Sequence, residues 1–225
     1  MTQISNNDIR KFCFDNKIIH VSFDFWNTLA FSNSTFKIER SLLLSNKKST
    51  TIDIVNDALK SIGTNYNYRI ESGGLISQSN ELFSEVCETI GIRGKKEITE
   101  LFETTLELFV KHPPTFSKYL FTVVIPDLKK TGISISITSN TAFIPGKTIR
   151  KVLRNAEKLD FFDFLLFSDE ENCAKPEKKM FDNLLAKKQN SVEKKVHKCD
   201  ILHVGDSVIA DYNGCINNGF KGILV

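Results

Sequence analysis

No apolar run in the 225-residue chain exceeds about six residues, far short of the ~20 that cross a bilayer. Met1 to Asn16 is polar and mixed in charge, and lacks the apolar centre of a secretory leader. A membrane span is thereby excluded, and a cytosolic protein is expected. The five cysteines, Cys13, Cys87, Cys173, Cys199 and Cys215, form no CxxC pair and are odd in number. That pattern fits reduced thiols and not a disulfide framework. The four histidines lack metal-ligand spacing, so a zinc site is not expected. Net charge is only +3 and the pI about 8.5. The lysine pairs (47–48, 95–96, 187–188, 194–195) are scattered as a solvated surface would scatter them. A nucleic-acid partner is therefore not expected. Internal repeats and low-complexity segments are absent.

What is present is a 41% apolar, 25% charged chain of ordinary globular composition. Short apolar runs recur, and four of them end in polar residues. Ile18–Phe23 stops at Asp24. Ile133–Ile137 alternates at period two and stops at Thr138-Ser139-Asn140. Phe164–Phe167 stops at Ser168-Asp169, and Ile201–Val204 at Gly205-Asp206. Gly222–Val225 is a fifth run. Helical patterns separate these strands: one opening near Pro126, one over Thr148–Glu157, one with Pro176 in its first turn, and one with Val208, Ile209, Tyr212, Cys215 and Ile216 on its apolar face. Such alternation predicts an α/β fold, a doubly wound and mostly parallel sheet. From about 36 to 118 the periodicity is helical throughout. Thr50 and Ser79 are the expected caps, Tyr66–Gly74 the expected loop, and 98–109 a clear 3-4-3 stripe. The expected organisation is a core of 1–35 and 119–225 with an α-helical cap of 36–118.

Ligands of open parallel sheets bind beyond the carboxyl ends of the strands. Asp24, Ser139, Asp206 and, just past the Phe164–Phe167 run, Lys175 belong to that edge. Asp24 and Asp206 could share a hard cation such as Mg²⁺ through oxygen ligands. Lys175 and Ser139 could hold anionic oxygens, as phosphoryl transfer requires.

Asp24-Phe-Trp-Asn-Thr28-Leu29, Thr138-Ser139-Asn140, Lys175-Pro176 and Gly205-Asp206-Ser207…Asp211 resemble, in order, the four motifs of the haloacid dehalogenase-like hydrolase superfamily. The resemblance runs from about residue 18 to the last residue and includes the inserted helical cap. It implies an aspartate nucleophile at Asp24, oriented by Thr28. It implies phosphoryl contacts from Ser139, Asn140 and Lys175. Mg²⁺ would be held by Asp24, the Trp26 backbone carbonyl, Asp206 and Asp211. The implied activity is a Mg²⁺-dependent phosphatase acting on a small phosphorylated molecule through an aspartyl-phosphate.

One position departs from the family pattern. Phosphatases of this superfamily carry a second aspartate two residues after the nucleophile, as general acid and base. Trp26 stands there, and an indole can do neither. Such a loss typically costs ~10²–10⁴-fold in rate, ~3–5 kcal/mol of barrier. Three readings follow: a phosphatase using good leaving groups or an acid from elsewhere, with Asp169, Glu170 and Glu171 near the expected edge; a metal-independent 2-haloacid dehalogenase; or a non-catalytic binding protein. Intact Asp206 and Asp211 favour the first. A phosphonate hydrolase would need a cap lysine, for which Lys37, Lys47, Lys48 and Lys60 are available. Lys37, Arg40 and Arg69 could meet an anionic substrate from the cap, or be plain surface charge. Trp26 could wall the pocket or pack against the cap. Cys173 has no expected nucleophilic role, and His20 and His203 are expected to be satisfied core histidines.

Overall fold

The computed structural model describes residues 8–48 and 50–225. The part of the Met1–Asn16 reading that precedes residue 8 lies outside them. Among the described residues there are seven strands: β1 (His20–Phe23), β2 (Ala30–Phe31), β3 (Thr115–Phe116), β4 (Ser134–Ser139), β5 (Phe164–Phe167), β6 (Ile201–Gly205) and β7 (Lys221–Leu224). The helices are α1 (Asp8–Asp15), α2 (Ser34–Lys48), α3 (Ile52–Glu71), α4 (Ser79–Thr89), α5 (Lys95–Lys111), α6 (Ile125–Lys130), α7 (Gly146–Asn155), α8 (Ser168–Glu171), α9 (Lys178–Gln189) and α10 (Gly214–Asn217).

All five expected strands form one parallel sheet in the order β5-β4-β1-β6-β7. The chain builds outward from β1 on one side, then crosses back to build the other. That reversal at β1 leaves a crevice at the strands' carboxyl ends, where the loops after β4 and β6 part in opposite directions. Alternate residues face opposite layers. Val21, Phe23, Ile135, Ile137, Leu202 and Val204 join a buried cluster with Leu128 of α6 and Ile149 and Val152 of α7. Leu166 and Ile201 join another with Met180, Phe181 and Leu184 of α9. Helices on both faces make the sheet doubly wound. Towards that second layer the central strands carry polar side chains that satisfy one another: His20 lies 2.7 and 2.8 Å from the Ser134 and Ser136 hydroxyls, and Ser22 donates to Thr138 at 2.8 Å. A buried polar row is tolerated because each member has a partner.

Helices α2–α5 fill the long connection between β1 and β4. They enclose their own apolar cluster, including Leu44, Val55, Leu59, Ile62, Phe83, Val86 and Leu101. The chain enters this block through β2 and leaves it through β3, and the two pair antiparallel. This two-residue ribbon has too little pattern to be read from sequence. Phe109 of α5 belongs to the sheet's cluster, packing on Phe36 at 5.2 Å and on Trp26 at 5.9 Å.

Several local expectations are corrected. The α3 cap is Thr51, not Thr50: its hydroxyl accepts from the Ile54 amide. Gln78, not Ser79, caps α4, paired with Glu81 in a reciprocal box. Tyr66–Glu71 is helix and not loop, because Ile62, Tyr66 and Ile70 continue the buried stripe of α3. Pro176 precedes α9 in a turn that joins the Glu177 amide to the Ala174 carbonyl. After β6 the chain makes a widened i→i+5 turn over Val208–Asn213. That shifts the register, so Val208, Ile209 and Ile216 are exposed while Ala210 and Asp211 are buried.

Phe109→Ala should cost ~3–5 kcal/mol by leaving a cavity. It should also change the native fluorescence of Trp26, the sole tryptophan. Phe83→Ala, buried inside the helical block, should destabilise comparably and leave that emission unchanged. Denaturant titration with emission spectra checks both.

Candidate active site

Asp24 follows β1 directly, and its amide donates to the Val204 carbonyl at 2.8 Å, so it is fixed to β6 as well. Lys175 stands in the loop before α9 and is fully buried. Its ammonium lies 2.7 Å from Asp24 Oδ1 and 2.5 Å from Asp211 Oδ1. Asp211 is the more saturated carboxylate. It also accepts from His203 Nε2 at 2.9 Å and from the Ser207 amide at 2.9 Å. The widened turn is what carries it under the β6 end. Gly205 permits this approach: a Cβ there would lie 2.2 Å from the Asp211 carboxyl carbon. Asp206 is exposed and takes a hydrogen bond from Asn27 at 3.1 Å. Asn27 adopts φ 56°, in the left-handed region that asparagine tolerates.

One oxygen from each of Asp24, Asp206 and Asp211 lies within 4.8 Å of the others. Three carboxylates against one ammonium leave the cluster net negative. Burial pushes the Asp24 carboxyl up to about 7, although Lys175 opposes that rise and Asp211 adds to it. Burial also pushes Asp206 up. Burial acts on Asp211 in the same sense, but the Lys175 charge and the His203 hydrogen bond outweigh it and hold its carboxyl well below the usual range. Burial works against the Lys175 ammonium, and the two facing carboxylates more than restore it. Burial and the adjacent ammonium keep His203 neutral. The donor set, oxygen only and carboxylate-rich, suits a hard divalent cation. The Trp26 carbonyl accepts no hydrogen bond among the described residues and is free to join it.

A cavity of about 450 Å³ opens between this cluster and α2–α3. Its wall includes Asp24, Trp26, Asn140, Lys175, Asp206 and Asp211, so the structure brings these expected residues together. Trp26 does both things expected of it, lining the cavity and packing against Phe109 of α5 at 5.9 Å. Two expected residues stand differently. Ser139 is buried at the β4 end, and its hydroxyl donates to the Asn140 carbonyl at 3.3 Å, away from the cavity wall. Thr28 is buried with its hydroxyl unpaired, so the expected bond that would orient Asp24 is absent. Asn140 is already engaged: its side-chain amide donates to the Lys175 carbonyl and accepts from the Lys175 amide, both at 2.8 Å. Its carbonyl and one of its two N–H groups thereby position Lys175.

The acids expected near the edge point elsewhere. Asp169 accepts from Thr141 and from the Gly146 amide, Glu170 pairs with Arg150, and Glu171 accepts from Asn183. Arg69 is exposed and donates to Ser77. Cys173 is buried, and burial raises its thiol to about 11. One partner and one residue were missed. His203 is a core histidine, as expected, but its partner is Asp211. Glu71, at the end of α3, lines the cavity and accepts from the Ser207 hydroxyl at 3.1 Å. Helical periodicity cannot announce a contact made 136 residues away.

The chain belongs to the haloacid dehalogenase-like hydrolases: that family's model matches residues 42–225. Asp24 and Thr28 precede the matched span. Among solved structures, the HAD-hydrolase YfnB from Bacillus subtilis, bound to magnesium, is 19% identical with a TM-score of 0.71, covering 92% of this chain and 88% of that one. A HAD phosphatase from Thermococcus onnurineus is 21% identical with a TM-score of 0.58, covering 92% and 86%. An L-2-haloacid dehalogenase from Xanthobacter autotrophicus is 14% identical with a TM-score of 0.62, covering 92% and 77%. At such identities the likeness is one of fold. No curated protein matches the sequence. Among the described residues no helix is long and apolar enough to cross a membrane.

Opposite signs are expected for two neutral substitutions in metal-free protein. Asp24 has a folded pKa of about 7 against 3.8 for the free group, so its contribution favours folding at low pH and is lost as pH rises through 7. At pH 8 with chelator, Asp24→Asn should raise Tm, by ~2–4 °C per kcal/mol relieved. The gain should vanish below pH ~4. Asp211 has a depressed folded pKa and contributes stability above the ordinary carboxylate range. Asp211→Asn should cost ~3–5 kcal/mol at pH 8, since buried Lys175 and His203 lose their partner. Thermal melts across pH check the pair.

Proposed function

We propose that the protein is a Mg²⁺-dependent phosphatase acting on a small phosphate ester, with α2–α5 as the cap over its site. The observation that carries this reading is the convergence of Asp24, Asp206 and Asp211 on one point, with a single buried ammonium among them. A 2-haloacid is itself a carboxylate, and a net-negative cluster disfavours it. A divalent cation cancels that net charge, so a phosphate dianion enters a site with no excess negative charge and a metal to meet its oxygens. The magnesium-bound YfnB and the Thermococcus phosphatase agree with this choice; the dehalogenases of the same fold represent the alternative.

Asp24, Asp206 and the Trp26 carbonyl would hold the cation, with Asp211 bonded to Lys175, His203 and Ser207 behind them. When bound, Mg²⁺ supplies charge neutralisation for the phosphoryl oxygens. Asp24 attacks phosphorus with Oδ2, the oxygen that carries no hydrogen bond among the described residues, while Lys175 holds Oδ1. The P–O bond to the leaving alcohol breaks, and an aspartyl-phosphate forms. Lys175 neutralises the nucleophile and then the transferred oxygens. Ser139 reaches the phosphoryl group only after its hydroxyl turns from the Asn140 carbonyl. Water then attacks phosphorus and returns Asp24 and inorganic phosphate. Lying over the cavity, the helical block excludes bulk water and selects the substrate. Among the described cavity-lining acids, Glu71 is the one outside the cation cluster. We assign it the leaving-group proton that Trp26 cannot give.

Wild-type protein should hydrolyse p-nitrophenyl phosphate with Mg²⁺ and lose that activity with chelator or in Asp24→Asn. Absence of turnover with Mg²⁺ would overturn the phosphatase reading. Metal-free halide release from 2-chloropropionate would install the dehalogenase instead. Glu71→Gln should slow phenyl phosphate, a poor leaving group, ~10-fold or more beyond its effect on p-nitrophenyl phosphate. Equal effects on both esters would remove Glu71 from the proton transfer.

A further inference from the structure

Arg40 is a half-buried cation in α2 that lines the same cavity as Asp24 and Lys175. Its Nε is sealed from solvent and has no hydrogen-bond partner. Among the described residues no carboxylate lies within 4.0 Å of its guanidinium, which makes no ion pair. The adjacent Glu39 is turned away, 3.1 Å from His112 Nε2 and 3.7 Å from Lys111 Nζ. The Arg40 guanidinium carbon instead stacks over the Phe36 ring, 5.1 Å from the ring centre. Burial lowers its pKa to about 10, which leaves it charged at neutral pH.

A guanidinium carries five N–H donors in a rigid fork, matched to the paired oxygens of a carboxylate or phosphate. Withdrawing such a group from water without an acceptor is costly, and buried charges are accordingly paired. Here the acceptor is missing from the protein, and the group faces a cavity of small-ligand size. The phosphoryl end of a substrate is served at the strand ends, by Lys175 and the carboxylate cluster. That end already has its cation in Lys175, which leaves the Arg40 guanidinium, presented by α2 of the helical block, for a different part of the molecule.

We propose that Arg40 forms a second anion subsite, and that the substrate is a phosphate monoester bearing a further carboxylate or phosphate group, received by Arg40 from the helical block. This rests on the phosphatase reading and narrows its substrate class. The apolar faces of Phe36 and Trp26 bound the space between the two anionic ends. The subsite's selectivity is sharp, since a substrate without the second anion leaves the buried cation unpaired.

The test compares matched ester pairs that differ in one charge. Carboxylate is paired with its carboxamide, and a second phosphate with a hydroxyl, on aryl and alkyl phosphates of graded length, with p-nitrophenyl phosphate alongside. Wild-type enzyme should prefer the anionic member of at least one pair by tenfold or more in kcat/KM, chiefly through KM. In Arg40→Gln that ratio should collapse towards one. Arg40→Lys, which keeps the charge and loses the fork, should retain part of it and keeps the test open if the glutamine variant fails to fold. Whichever series carries the preference identifies carboxylate or phosphate as the second group. Turnover of p-nitrophenyl phosphate with no anionic preference in any pair would overturn the subsite alone. So would a preference that survives Arg40→Gln. No Mg²⁺-dependent turnover of any ester would instead overturn the phosphatase reading on which it stands.

Discussion

The Lys175 ammonium, buried between Asp24 and Asp211, is the interaction on which the site depends. It ties β1, the loop before α9 and the turn after β6 at one point. Left alone, each of these charges would be expensive at such depth; together, with His203 and the Ser207 amide completing Asp211, they are tolerable. The surrounding backbone serves the same end. Asn140 clamps both the amide and the carbonyl of Lys175, Gly205 makes room for the Asp211 carboxylate, and the widened turn delivers it. The two carboxylates are thereby made unequal. Asp211 is fully engaged and ionised, whereas Asp24 keeps one oxygen free and is destabilised by burial. An anion held in an unfavourable place is what a nucleophile and cation ligand should be.

The fold makes this convergence possible because β1 is both the centre of the sheet and the point where its winding reverses. Asp24 at the end of β1 therefore has β4 on one side and β6 on the other. The long helical insertion leaves from the same strand end through β2 and returns through β3, so the block lies over the cavity it helps to form. Trp26 stands at the join, lining the cavity on one side and packing on Phe109 of α5 nearby. The residue that replaced the expected acid thus connects the sheet to the helices.

Much of this was legible because the strands announce themselves. Runs such as Ile133–Ile137 and Ile201–Val204 are bounded by polar residues, and a parallel sheet puts all those endings on one edge. Asp24, Lys175 and Asp206 could be assigned to that edge from order alone. Side-chain direction could not. Asp169, Glu170 and Glu171 follow β5 immediately, yet each is bound elsewhere, by Thr141 and Gly146, by Arg150 and by Asn183. Asp211 was expected on a regular helix, and only the widened turn explains why it is buried while Val208 and Ile209 are not. Arg40 and Glu71 lie on helices whose spacing reveals the buried stripe but not what the other face meets across the cavity. The ribbon of β2 and β3, two residues in each strand, has no pattern to read.

The most direct test of the account is mass analysis of protein acid-quenched during turnover of an aryl phosphate with Mg²⁺. A phosphoryl group should appear on the peptide containing Asp24, disappear on treatment with hydroxylamine, and be missing from Asp24→Asn. Steady turnover by wild-type protein with a phosphoryl group on any residue other than Asp24, or with an organic ester on Asp24 in its place, would contradict the assignment of Asp24 as the phosphoryl-accepting nucleophile.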